Sequence, residues 1–190
     1  FDPKLDLTGP ILKACRGVSY VAPDNAGEGG ECAARLITAT ADARRIALDP
    51  ETGKPCAGFG NNGFVSLVEG MGPVKKGYYY VTSPPVIVNG LAVLGGFVMD
   101  NAATGEPSGV IRAFDVKTGA LRWAWDSGQD DGPPREGYTR GSPNSWSVLS
   151  ADPELGLVFV PLGNATPDYF GGVRSEQLEG LSAITVRPDP

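Results

Sequence analysis

Few residues in this chain of 190 combine a chemically useful side chain with a setting that could hold it. Asp100-Asn101 is one such pair. A carboxylate beside an amide, in a loop just after an apolar run, offers hard oxygen donors and makes a half-site for Ca²⁺ or Mg²⁺; the plainer reading is a solvated turn pair. Arg16 stands in an otherwise apolar segment, Cys15 to Tyr20. Its guanidinium fork suits a carboxylate, and the alternatives are a surface arginine or half of a structural ion pair. Trp146 offers a broad flat face to a planar ligand, or fills a core as Trp123 does. Thr82 can donate a hydroxyl hydrogen bond to a ligand or cap the strand starting at Pro84-Pro85. Asn164 and Thr166 place an amide oxygen and a hydroxyl near a strand end, where a turn asparagine is the bland alternative.

Other chemistries are excluded. The chain has no histidine, so it builds no Ser-His-Asp or Cys-His pair and no histidine-ligated metal. Cys15, Cys32 and Cys56 fit neither a zinc cluster nor a Cys-x-x-Cys motif. Cys15 to Cys32 closes the shorter loop and is the expected disulfide in an oxidising compartment, with buried free thiols as the alternative. A net charge of −6 without a basic run speaks against nucleic acid and anionic membranes as partners. No apolar run is long enough to span a bilayer as a helix. Phe1 is not a natural start residue, so the chain reads as a processed or excised piece.

The elements that must position these residues are short strands. Gly109 to Trp123 reads as two strands around Asp115-Val-Lys-Thr-Gly119. Asp115 accepts backbone N–H groups there, and Gly119 tolerates positive φ. The pattern Ala-x-Asp-x-x-Thr-Gly also occurs at Ala47, and Leu181-Ser-Ala-Ile-Thr185 starts a third copy. The alanine spacings are 113 − 47 = 66 and 183 − 113 = 70. Leu36–Thr40 and Arg44–Asp49 pair around Ala-Asp-Ala. Pro85 to Gly95 is a hairpin around Asn89-Gly90, a type I′ signal. Trp146–Ser150 and Leu157–Val160 flank another turn. Residues 22–31, 58–80 and 126–145 read as connections with little regular structure, and 174–179 as one helical turn. Many short strands with a repeated pair predict an all-β chain. It is a partial β-propeller of about two complete four-stranded blades plus the edges of their neighbours, with a two-sheet sandwich as the alternative. Residues 1–190 form one domain in this reading. Open blade edges offer a route to self-association.

The repeat Ala113-x-Asp115-x-x-x-Gly119-x-x-x-Trp123 resembles the tryptophan-docking motif of the pyrroloquinoline quinone (PQQ) dehydrogenases, which are eight-bladed propellers. Cys15-Arg-Gly-Val-Ser-Tyr20, Thr82-Ser-Pro-Pro85, Asp100-Asn101, Ser142-Pro-Asn-Ser-Trp146 and Pro161 to Asp168 follow in the order and spacing of the membrane-bound quinoprotein glucose dehydrogenase group. The resemblance implies a periplasmic enzyme, anchored to the inner membrane by segments outside this chain. It oxidises a sugar or polyol with PQQ and a divalent metal, Ca²⁺ or Mg²⁺, and passes electrons to ubiquinone.

By the same resemblance Trp146 stacks on PQQ, Arg16 faces it, and Thr82 hydrogen-bonds to it. Asp100 and Asn101 supply metal ligands. Asn164 lies 18 residues after Trp146, where related alcohol dehydrogenases place a metal-binding asparagine, and Thr166 competes for that role. Val21 replaces a histidine of the glucose enzymes, which keeps quinate, shikimate or another polyol open as substrate. The family's catalytic aspartate and PQQ-contacting lysine have no counterpart here, so the chain alone is expected to be inactive. The rival reading is a non-catalytic propeller that binds proteins, of the outer-membrane assembly type. Such a module has no need of Arg16, Asp100, Trp146 and Asn164 in one place.

Overall fold

The computed structural model describes residues 1–9, 14–25, 29–128 and 137–170, together with the backbone of 183–186. All regular elements among them are β-strands. The first sheet runs β1 (Ser19–Val21), β2 (Arg35–Ala39), β3 (Arg44–Leu48) and β4 (Phe64–Ser66), in that spatial order. The second joins β6 (Val86–Val88), β7 (Leu91–Leu94), β9 (Ile111–Asp115) and β10 (Leu121–Trp125), also in chain order. Between them β5 (Tyr79–Tyr80) pairs with β8 (Phe97–Val98), and a third sheet follows with β11 (Ser150–Asp152), β12 (Leu157–Pro161) and β13 (Ala183–Val186). Every strand pairing is antiparallel. These are successive blades of a partial propeller, as the repeat predicts.

The turns explain the register. Asn89 and Gly90 both have positive φ, 47° and 75°, the geometry of a type I′ hairpin. Asp115 accepts from the N–H groups of Lys117 and Thr118 at 2.9 and 2.7 Å, and Gly119 follows at φ 78°. Asp49 accepts from Glu51 and Thr52 in the same way. Each carboxylate satisfies the donors that a tight turn would leave unpaired.

Blades pack through apolar faces that one sheet alone would leave wet. Ala39, Leu67, Tyr79, Tyr80, Leu94 and Phe114 form one buried cluster. Val88, Val93, Ile111, Leu149, Val158 and Val160 form another between the second and third blades. Two arginines are built into the blade contact. Arg45 is fully buried, lies over the rings of Phe59 and Phe114 at 4.8 and 4.1 Å, and donates to the Gly119 carbonyl at 3.1 Å. Burial, with the charge of Arg112 beside it, pushes its pKa down to about 9. Arg112 donates to the Leu67 carbonyl and to the Tyr79 hydroxyl.

Three expectations are corrected. The disulfide is Cys32–Cys56, with Cα atoms 5.8 Å apart, and Cys15 is free and exposed. Loop length favoured Cys15–Cys32, but the β2–β3 hairpin carries Cys32 back to the Asp49 turn. There the Cys32 N–H donates to Asp49 at 2.7 Å and the Cys56 N–H to the Ala47 carbonyl at 2.9 Å. The 58–80 stretch is not without regular structure, because β4 completes the first blade and β5 pairs with β8. These strands are too short for their alternation to show. Finally, Trp146 lies outside any strand, since β11 begins only at Ser150. The expected helical turn at 174–179 falls outside the described residues.

Candidate functional site

The segment 142–146 is the backbone of the site, and two glycines let it lie against the second blade. A Cβ on Gly109 would overlap the Pro143 carbonyl, and one on Gly95 would come within 2.5 Å of the Ser145 carbonyl. The Ser142 hydroxyl accepts the Gly109 N–H at 3.0 Å. Thus held, the segment presents Asn144 on one side of a small polar network and Trp146 on the other.

Trp146 is 44% exposed, so part of its indole is open to solvent. Its carbonyl is a focus for three donors from two other blades. The Thr82 hydroxyl donates at 2.8 Å, the Ser83 hydroxyl at 2.9 Å and Arg16 Nη1 at 3.3 Å. Arg16 Nη1 also reaches the Thr82 carbonyl at 3.1 Å, and the guanidinium carbon lies 5.4 Å from the centre of the Trp146 ring. The structure therefore brings Arg16, Thr82 and Trp146 together, as expected. It also corrects both readings of Thr82, because its hydroxyl hydrogen is donated to the Trp146 carbonyl and so neither to a ligand nor to a strand cap. Arg16 has no carboxylate partner among the described residues.

The second group is a cluster of oxygen donors. Asn144 Nδ2 donates to Asp100 Oδ2 at 3.1 Å, and the Asp168 N–H donates to the Asp100 carbonyl at 2.8 Å. Asn164 Nδ2 donates to Asp168 Oδ1 at 2.8 Å, and the Tyr169 N–H to Asn101 Oδ1 at 3.2 Å. Burial raises the Asp100 pKa, Asn144 opposes this, and the neighbouring charge of Asp168 adds to it. Asn101 and Asn164 are exposed, and both belong to the network. Thr166 stands slightly apart: its N–H bonds to the Gly141 carbonyl at 2.9 Å, and its buried hydroxyl has no partner.

The donor set fits a hard divalent cation. Asn144 is fully buried, yet its Oδ1 is unpartnered, and an orphaned buried amide oxygen is costly unless something accepts its lone pairs. Thr166 Oγ1 is in the same position. Two carboxylates with amide and hydroxyl oxygens are the ligands that Ca²⁺ or Mg²⁺ takes. The two groups are contiguous through the 144–146 segment. The Gly163 N–H donates to the Asn144 carbonyl at 2.8 Å, and a Cβ on Gly163 would sit 3.9 Å from Trp146 Nε1. A groove of about 880 Å³ lies elsewhere, lined by Phe64, Val65, Arg112, Phe114 and Leu121 among others. None of the site residues lines it.

Sequence reasoning missed Ser83, Asn144 and Asp168. Each stands inside a motif that drew attention for another member: Thr82-Ser-Pro-Pro85, Ser142-Pro-Asn-Ser-Trp146 and Pro161 to Asp168. Their polar type was visible, but Ser83 and Asn144 find their partners on other blades, and Asp168 reaches Asp100 only through its main-chain N–H.

Comparison with known proteins bears on the family and the fold. The family model for PQQ-dependent glucose/ethanol/alcohol dehydrogenase β-propeller domains matches residues 1–187. The chain is 42% identical over 191 residues to the quinoprotein glucose dehydrogenase of Escherichia coli (strain K12), covering 94% of this chain and 24% of that protein. It is 41% identical over 184 residues to the glycerol dehydrogenase large subunit of Gluconobacter oxydans (strain 621H), covering 95% and 25%. A europium-containing methanol dehydrogenase shares the fold, with a TM-score of 0.61 at 19% identity over 93% of this chain and 30% of that one. The chain belongs to the PQQ-dependent quinoprotein dehydrogenase family, whose members are oxidoreductases built on a β-propeller. It spans about a quarter of the length of the curated relatives it matches.

Proposed function

We propose that the protein carrying this chain is a PQQ-dependent dehydrogenase of a sugar or polyol, and that these residues form part of its cofactor and cation shell. The observation that carries the reading is the exposed Trp146, whose carbonyl is held by Arg16 and Thr82 and whose segment is joined through Asn144 to the Asp100 carboxylate. A binding propeller gains nothing from an open indole beside a buried, half-satisfied oxygen cluster.

Bound PQQ supplies a quinone that accepts two electrons. Trp146 offers it a flat, polarisable surface. Asp100, Asn101 and Asn164, with Thr166, would hold Ca²⁺ or Mg²⁺, and Asn144 fixes the Asp100 carboxylate for that task. Val21 packs against the core around the disulfide and has no proton to exchange, which puts glucose in doubt and keeps quinate, shikimate or another polyol open as substrate. None of these residues is placed as a general base, so the chain by itself would not turn over substrate. A periplasmic setting, an inner-membrane anchor outside this chain and ubiquinone as electron acceptor complete the proposal.

The test is a titration of the intact protein with PQQ, with and without Ca²⁺, followed by tryptophan fluorescence. Saturable, cation-dependent quenching is expected, and Trp146→Ala should abolish most of it. Quenching that survives in Trp146→Ala would remove the stacking role.

A further inference from the structure

Trp146 is held by its own backbone rather than by its ring. A carbonyl oxygen has two lone pairs, and here the hydroxyls of Thr82 and Ser83 fill them at 2.8 and 2.9 Å. Arg16 Nη1 adds a charged third donor at 3.3 Å and also lies within 3.4 Å of the Ser83 hydroxyl. The Arg16 main-chain N–H is fixed in turn on the Thr82 carbonyl at 3.2 Å. Arg16 precedes β1 of the first blade, Thr82-Ser83 precede β6 of the second, and Trp146 precedes β11 of the third. Thr82 and Ser83 are buried, whereas the indole they serve is open.

We propose that Arg16, Thr82 and Ser83 form a three-blade clasp on the Trp146 carbonyl that sets the indole plane before a flat ligand arrives. Ser83 is thereby a positioning residue for the cofactor platform, and Arg16 acts on the ligand through Trp146. This assignment rests on the reading of Trp146 as the PQQ platform. Physically, a stacking surface that is already immobile loses less entropy when the ligand binds. A second consequence follows for Arg16. If its part were only to pair with a ligand carboxylate, a ligand with esterified carboxylates would not notice its removal.

The experiment has two arms, both on the intact protein. The first needs no ligand: the ¹⁹F NMR linewidth of the Trp146 resonance in protein labelled with 5-fluorotryptophan, assigned by its loss in Trp146→Phe. Faster indole motion is expected in Ser83→Ala and in Arg16→Ala, with Ser83→Thr restoring the rigid signal because it keeps the hydroxyl. Unchanged motion in both alanine variants overturns the clasp alone. The second arm compares PQQ with its trimethyl ester by fluorescence quenching. Ser83→Ala should weaken both ligands by about five- to tenfold, the worth of one hydrogen bond. Arg16→Ala should weaken the ester as well as the acid. Loss confined to the acid in Arg16→Ala overturns the action through Trp146. Failure of the unmodified protein to bind either ligand overturns the cofactor reading, and the assignment falls with it.

Discussion

At the scale of single residues, the site is a set of polar groups in which two buried oxygens, Asn144 Oδ1 and Thr166 Oγ1, have no hydrogen-bond partner. Asn144 shows this most directly, with one amide atom on Asp100 and the other buried and orphaned. Asn144→Ala should therefore weaken Ca²⁺ binding by at least tenfold in calorimetric titration, since an amide that holds a ligating carboxylate in place typically contributes about 10- to 100-fold. The same change should lower the unfolding free energy by about 1–3 kcal/mol, because Asp100 loses its buried donor. Unaltered Ca²⁺ affinity would mean that Asn144 serves packing alone.

At the scale of elements, two features decide whether the site is held. Gly109 lets the 142–146 segment lie flat on the second blade, since any Cβ there meets the Pro143 carbonyl. Gly109→Ala should cost about 2–4 kcal/mol in urea unfolding, as overpacking against rigid backbone does, and should displace Trp146 enough to reduce PQQ quenching. The second feature is the Asp turn. The pKa of Asp49 is lowered because the N–H groups of Cys32 and Thr52 donate to it. A group with a depressed folded pKa contributes stability that is complete above its unfolded value, about 3.9. That stability is lost as the pH falls from there through the folded value. Unfolding free energy should drop as the pH falls below about 4, and Asp49→Asn should flatten that part of the profile. Identical acid profiles for the two proteins would contradict the role of Asp49.

At the scale of the whole molecule, the chain is a run of blades that support one another. The Cys32–Cys56 link closes a loop of 24 positions in sequence and staples the first blade at its Asp49 turn. Reduction with dithiothreitol should lower the stability by about 3 kcal/mol through the freer unfolded chain. A Cys32→Ala/Cys56→Ala protein should match the reduced one, and Cys15→Ala should change nothing measurable. The site itself is a product of this scale, because Arg16, Thr82-Ser83 and Trp146 belong to three different blades.

The amino-acid sequence by itself determined the strand hairpins around Asn89-Gly90 and Asp115 to Gly119, because turn geometry depends on φ limits and on side chains two or three residues away. It also determined the blade repeat and, through motif resemblance, the residues that surround the site. Only the tertiary structure decided which cysteines pair, that Thr82 spends its hydroxyl on the Trp146 carbonyl, and that Asn144 and Asp168 join Asp100. The physical reason is range. Turn chemistry is local, whereas a disulfide between hairpin ends or an amide donating to a carboxylate 44 residues away depends on how sheets stack. Stacking is set by apolar area summed over whole faces, which no single residue announces.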